Sequence, residues 1–190
     1  MTGHFKAFKR ATGDTYWDMA QTKCFGLLDH CQSVISPPGL MPDFLRDTGT
    51  NPVVAINGQG DGDGRQAWYT YNACRVPMRM GIDHLTSGDV RAKNIGNKIV
   101  DFFNNKYAGS VEGVRDAYQM NGARVNEGST YNASLFYETL LPAACSEARH
   151  QVYLNRLWTK TNAYPRTTGY YGTELGLLSI IASSGNWWNP

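Results

Sequence analysis

Charge is scarce in this sequence. Lys, Arg, Asp and Glu make up 18% of 190 residues, and the formal net charge is +2 at pH 7. So small an excess gives no footing for nucleic acid or for an anionic membrane surface. Long hydrophobic runs are also missing, so no stretch is long enough to cross a bilayer. The opening "MTGHFKAFKRATGD" has no apolar core segment, and no secretory signal peptide is expected in it. Cysteine is limited to Cys24, Cys31, Cys74 and Cys145, with no C-x-x-C pair, which argues against a zinc site. Cys24 and Cys31 are seven residues apart on an expected helix, about 10 Å along its axis. A disulfide needs Cα atoms within about 7 Å, so four mostly buried thiols are expected. "DGDG" at 61–64 lacks the remaining ligand spacing and the closing Glu of a calcium loop. No metal and no cofactor is expected.

Apolar residues, by contrast, reach 42%, enough for one domain with a core over residues 1–190. Helical periodicity dominates, and strand alternation is confined to "PVVAI" at 52–56. Six helical segments are read at 15–34, 76–86, 89–105, 130–143, 146–158 and 172–184, with the N-terminus also starting in helix. Thr15 or Asp14 caps the first of the six, and Pro77 fits the first turn of the second. "TGD" at 12–14 and "SGD" at 87–89 each precede a helix, and "SGN" at 184–186 follows the last one. Gly supplies the positive φ that ends a helix and Asp caps the next, which is the chemistry of antiparallel helical hairpins. Residues 36–70 form one long Gly- and Asp-rich connection, and connections of that length are usually functional or mobile. The five Trp and eleven Tyr suit either a packed core or the C–H faces of sugar rings.

Four stretches, taken in order, resemble the C-terminal half of glycoside hydrolase family 8, which holds bacterial endoglucanases, xylanases, chitosanases and lichenases. They are "AFKRATGDTYW", "GLMPDF", "YNACRVPMRMGIDHLTSGD" and "GYYGTELGLLSIIASSGNWWNP". The third resembles the family's Y-D-A-x-R-x-P-W-R, and the fourth its S-G-N-x-W-N-P close. The resemblance implies half of an (α/α)6 toroid. It also implies an endo-acting, inverting hydrolase of β-1,4-linked polysaccharide, cellulose or β-glucan, in a family that is secreted. Inversion needs an acid to protonate the leaving oxygen and a carboxylate about 6.5–9.5 Å away to activate water.

Two departures follow from the same resemblance. The family's acid Glu and sugar-gripping Asp belong to its N-terminal half and have no counterpart here. The usual base Asp is replaced by Asn72, which accepts no proton at neutral pH. A subgroup with Asn at this place takes its base from the loop just upstream. Here that loop is "GQGDGDGRQ", so Asn72 would orient water while Asp61 or Asp63 accepts the proton. The competing reading makes both Asp residues solvated turn formers. Tyr71 matches a tyrosine near the attacking water, and Arg75 matches an arginine that pairs with an active-site carboxylate. Trp68, Tyr170 and Tyr171 join them as candidate sugar contacts. Glu174 is a candidate cleft carboxylate, or simply an acid favoured at a helix N-terminus. Asp83 is placed to hold Arg79 four residues away. His84 is read as core or surface, and Trp187 and Trp188 as plugs at the barrel base. "NAS" at 132–134 is a glycosylation sequon. Half a ring would expose "FGLL" at 25–28 and "LGLLSII" at 175–181. The expected outcome is a homodimer, with the missing acid drawn from Glu174, Glu138 or Glu127 across the interface. The alternative is a non-catalytic carbohydrate-binding or structural half-barrel.

Overall fold

The computed structural model describes residues 1–58, 64–125, 133–163 and 169–188. The architecture is all-α, in antiparallel hairpins. Helices α1 (Thr2–Thr12) and α2 (Tyr16–His30) form the first, and α3 (Arg75–Ser87) and α4 (Val90–Lys106) the second. Then come the short α5 (Ala133–Glu138) and α6 (Leu141–Ala144), followed by α7 (Gln151–Ala163) and α8 (Tyr170–Ser183). α1 packs on α3, α3 on α6, and α6 and α5 on α8, making one layer. α2 stacks on α1, α4 on α3 and α6, and α7 on α5 and α6, making a second layer. The result is a two-layered, toroid-like arc.

The turn chemistry is as the sequence implies. Gly13 and Gly88 end α1 and α3 at φ 72° and 71°. Asp89 caps α4 by accepting from Arg91 N at 2.9 Å, and Asp14 accepts from Tyr16 N at 2.8 Å ahead of α2. Two boundaries differ. The helix expected at 15–34 passes into a π-helical turn at Cys31–Ile35, with Pro37 and Pro38 just beyond it. The segment expected at 130–143 is two short helices, because Pro142 sits in the first turn of α6 and starts a new helix there. The only strands among the described residues are Leu45–Arg46 and Val53–Val54, an antiparallel pair. The four cysteines are free, but only Cys31 and Cys74 are buried; Cys24 and Cys145 are half-buried.

Close packing at the centre depends on glycine. A Cβ on Gly81 in α3 would lie 2.2 Å from the carbonyl carbon of Pro142, so α3 and α6 touch backbone to backbone. Below the start of α3, Tyr69, Phe103, Tyr118 and Phe136 form an edge-to-face cluster with centroids 5.2–6.4 Å apart. The long connection is anchored to this core. Gln32 Nε2 donates to Gly39 O and Ile95 O, and Tyr69 exchanges backbone hydrogen bonds with Tyr118.

Candidate active site

The site is organised by a residue whose role the sequence did not reveal, Asp43 of "GLMPDF". Its Oδ1 accepts from the backbone N–H groups of Thr70 (3.0 Å), Asn72 (3.2 Å) and Ala73 (2.7 Å). Its Oδ2 accepts from the Thr70 hydroxyl. Asp43 N in turn donates to Trp68 O at 2.8 Å. A loop that must turn sharply into α3 leaves several N–H groups without helical partners, and one carboxylate satisfies three of them. The loop geometry is therefore set from about thirty residues away in sequence.

On that frame Asn72 is held by its own neighbour. Arg75 donates to Asn72 Oδ1 through Nη2 and to Asn72 O through Nε at 3.2 Å. Arg75 thus pairs with an amide, not with the carboxylate expected for it; no acidic side chain among the described residues reaches it. With Oδ1 engaged by the guanidinium, the Asn72 amide presents its N–H₂, which has no partner among the described residues. Tyr71 is fixed at both ends. Its hydroxyl donates to Asp116 Oδ2 at 3.1 Å, and its carbonyl accepts from the Tyr171 hydroxyl at 2.5 Å. Burial pushes the Tyr171 phenol up to about 12, with Cys74 adding and Arg75 opposing, so it stays a donor at neutral pH. Asp116 is 3% exposed, and its Oδ1 has no hydrogen-bond partner among the described residues. Nothing in "VRDAYQ" marks it out beforehand.

Of the residues proposed from the sequence, Tyr71, Asn72, Arg75 and Tyr171 come together here, and half-buried Trp68 belongs to the same loop. Tyr170 points away, 77% exposed. Glu174 is exposed on α8, without a hydrogen bond or ion pair among the described residues. Glu138 is 1% exposed inside α5 and is not displayed on any edge. Asp61, Asp63 and Glu127 lie outside the described residues, as does Asn132 of the sequon. Asp83 does not hold Arg79: Thr2 and Lys6 of α1 and Ser87 take it instead, at 2.5, 2.5 and 3.0 Å. His84 is half-buried, and its Nδ1 lies 3.1 Å from Asp89 O. Trp188 is 78% exposed, and it and half-buried Trp187 line a groove between α1, α3 and α8. "FGLL" is not laid open either, since Phe25 is buried under the Arg91 guanidinium at 4.2 Å. Among the described residues no group of His, Cys, Asp and Glu is placed to hold a metal, and no helix is long and apolar enough to cross a membrane.

No family model matches the chain. The sequence is similar to a beta-glucanase of Niallia circulans, at 36% identity over 99% of this chain and 45% of that protein. It is also similar to an endoglucanase of Bacillus sp. (strain KSM-330), at 26% over 100% of this chain and 40% of the relative. Endoglucanase A of Acetivibrio thermocellus matches at 28% over 98% and 36%. The fold superposes on the apo structure of a beta-1,3-1,4-glucanase from Paenibacillus sp. X4. The TM-score is 0.90 and the identity 33%, over 100% of this chain and 49% of that one. The chain thus spans less than half the length of the relatives it matches.

Proposed function

We propose that this chain is the substrate-handling half of an endo-acting β-glucan hydrolase, with the architecture and inverting chemistry of glycoside hydrolase family 8. The observation that carries the reading is the state of Asn72: backbone held by Asp43, side-chain oxygen held by Arg75, amide N–H₂ unspent. A rigid donor at the start of a helix suits the orientation of a water molecule. It does not suit proton abstraction, so the base is Asp61 or Asp63 of the upstream loop. Tyr71, Tyr171 and Trp68 supply aromatic surface for sugar rings. The names of the relatives favour glucan over other polysaccharides as the substrate, with the mixed-linkage β-1,3-1,4 polymer first.

The test is reducing-sugar release from mixed-linkage β-glucan, carboxymethylcellulose, xylan and chitosan, each with the Asp61→Ala and Asp63→Ala variants. Release from the β-glucans, and loss of ~10²–10⁴-fold in one variant, is expected. Unchanged rates in both variants would remove the loop base.

A second reading, a non-catalytic glucan-binding module, is favoured by the fate of the described carboxylates. Asp43 is spent on backbone N–H groups, Asp83 on α1, and Asp116 is buried behind Tyr71. None of these three is free to serve as general acid. Oligosaccharide binding by calorimetry without sugar release would select that reading.

A further inference from the structure

The carboxyl group least explained by packing is that of Asp116. It is 3% exposed, and its Oδ1 has no hydrogen-bond partner among the described residues. The neighbouring guanidinium does not answer it: Arg115 Nη1 donates to Glu112 O and Val114 O instead. A buried carboxyl group with an unspent oxygen costs stability. Among the described residues its side chain receives one hydroxyl, that of Tyr71 at 3.1 Å.

Backbone register puts that hydroxyl there. Tyr69 and Tyr118 form an antiparallel bridge, with Tyr69 N donating to Tyr118 O at 2.9 Å and Tyr118 N to Tyr69 O at 3.2 Å. Counting two residues on from Tyr69 and two back from Tyr118 sets Tyr71 opposite Asp116, on one face of the pair. The Asp116 side is itself braced. Val125 N donates to Ala117 O at 3.1 Å, Gln119 N to Ala123 O at 2.8 Å, and Arg115 N to the Tyr118 hydroxyl at 2.7 Å. The Tyr71 ring meets the Phe136 ring edge-on at 5.7 Å, and its carbonyl accepts from Tyr171. Ring, carbonyl and hydroxyl of Tyr71 are each fixed by a different segment of the chain.

A phenol carries one proton and two lone pairs. With the proton directed at Asp116, Tyr71 meets a further partner as an acceptor. Asn72, the next residue, offers the opposite character through its N–H₂. We propose that Asp116 is a positioning residue of the glucan site, which fixes the Tyr71 hydroxyl as acceptor for an incoming O–H, that of the attacking water or of a sugar. The proposal rests on the glucan-hydrolase reading and deepens it.

The test is a double-mutant cycle of Asp116→Leu and Tyr71→Phe. It is read in initial rates on mixed-linkage β-glucan and in oligosaccharide affinity by calorimetry. Each single change is expected to lower rate or affinity ~10-fold or more. Because Asp116 acts through one hydroxyl, adding Asp116→Leu to Tyr71→Phe should cost less than ~2-fold further. A carboxyl group that only supports the fold would cost as much in the phenylalanine background as in wild type. Asp116→Asn keeps an acceptor oxygen and should stay within ~5-fold of wild type. A coupled fall in kcat at unchanged affinity identifies the attacking water as the donor, and a coupled fall in affinity identifies a sugar hydroxyl. Circular dichroism checks folding, and Asp116→Ala carries the cycle if Asp116→Leu does not fold. Sugar release or binding by wild type with an additive cycle overturns the proposal and leaves the glucan reading standing. So does a folded Asp116→Leu variant of unchanged rate and affinity. A wild-type protein that neither releases nor binds sugar overturns the glucan reading, and the proposal with it.

Discussion

Arg75 and Arg79 are one turn apart on α3, and they teach opposite lessons about how a charge is accommodated. Around Arg75 nearly every polar group is answered: the guanidinium by Asn72, the Asn72 backbone by Asp43, the Tyr71 carbonyl by Tyr171. Around Arg79 apolar side chains such as Met78, Ile82 and Leu178 share the groove with His4, Arg10 and Asp83, and the guanidinium makes no ion pair among the described residues. The first region is a preorganised polar frame of the kind that holds a reacting molecule in one orientation. The second leaves a half-buried cation without that frame. The difference arises one turn further along. Asp83 could serve Arg79 by spacing, but α1 lies across α3 and its Thr2 and Lys6 reach Asp83 first.

The contrast can be broken most severely at the frame. Asp43→Ala removes the acceptor of three backbone N–H groups and one hydroxyl, and leaves donors unpaired in a tight turn. A loss of about 3–5 kcal/mol in urea-unfolding free energy is expected. Asp43→Asn, which keeps one acceptor oxygen, should cost clearly less. Gly81→Ala should cost about 1–3 kcal/mol or more, because its methyl group meets the α6 backbone and cannot be relieved by a side-chain rotation. Next comes the arginine pair itself. Arg75→Met strands the Asn72 oxygen and should cost about 1–2 kcal/mol. Arg79→Met removes a half-buried charge that makes no ion pair among the described residues and should change stability by less than about 0.5 kcal/mol, or raise it. Equal costs for the two would erase the distinction drawn between the regions.

The smallest effect concerns acid. Hydrogen bonds from Arg91, opposed by burial and aided by Lys6, hold the Asp89 carboxyl well below the ordinary carboxylate range. A carboxyl with a depressed folded value contributes stability that is fully present above the unfolded value near pH 4. That stability is lost as pH falls toward the folded value. Unfolding free energies at pH 7 and pH 3 should therefore differ less in Asp89→Asn than in wild type, and an unchanged difference would remove Asp89 from the cause.

Much of this was legible in the sequence where the signal is local. The "TGD" and "SGD" turns gave hairpins because Gly at positive φ and an Asp cap act within a few residues. Motif resemblance points to Tyr71, Asn72 and Tyr171, and the structure brings these three together. What escaped was tertiary. Asp43 lies inside "GLMPDF", but its grip on residues 70–73 depends on the fold bringing 43 beside them. Asp116 sits 45 residues from Tyr71 with no spacing to announce it. Arg79 and Asp83 show the reverse failure, a sound helical pair undone by a helix from elsewhere. "FGLL" failed in the same way, since Arg91 of α4 covers Phe25.

The account rests on Asn72 as the residue that meets water and substrate at the start of α3. Initial rates of sugar release from mixed-linkage β-glucan by wild type, Asn72→Asp and Asn72→Ala test it most directly. The account predicts that Asn72→Asp keeps or gains activity, since Arg75 already stands where a new carboxylate would need it, while Asn72→Ala loses ~10²-fold or more. Active wild type with an Asn72→Ala variant of the same rate would contradict it.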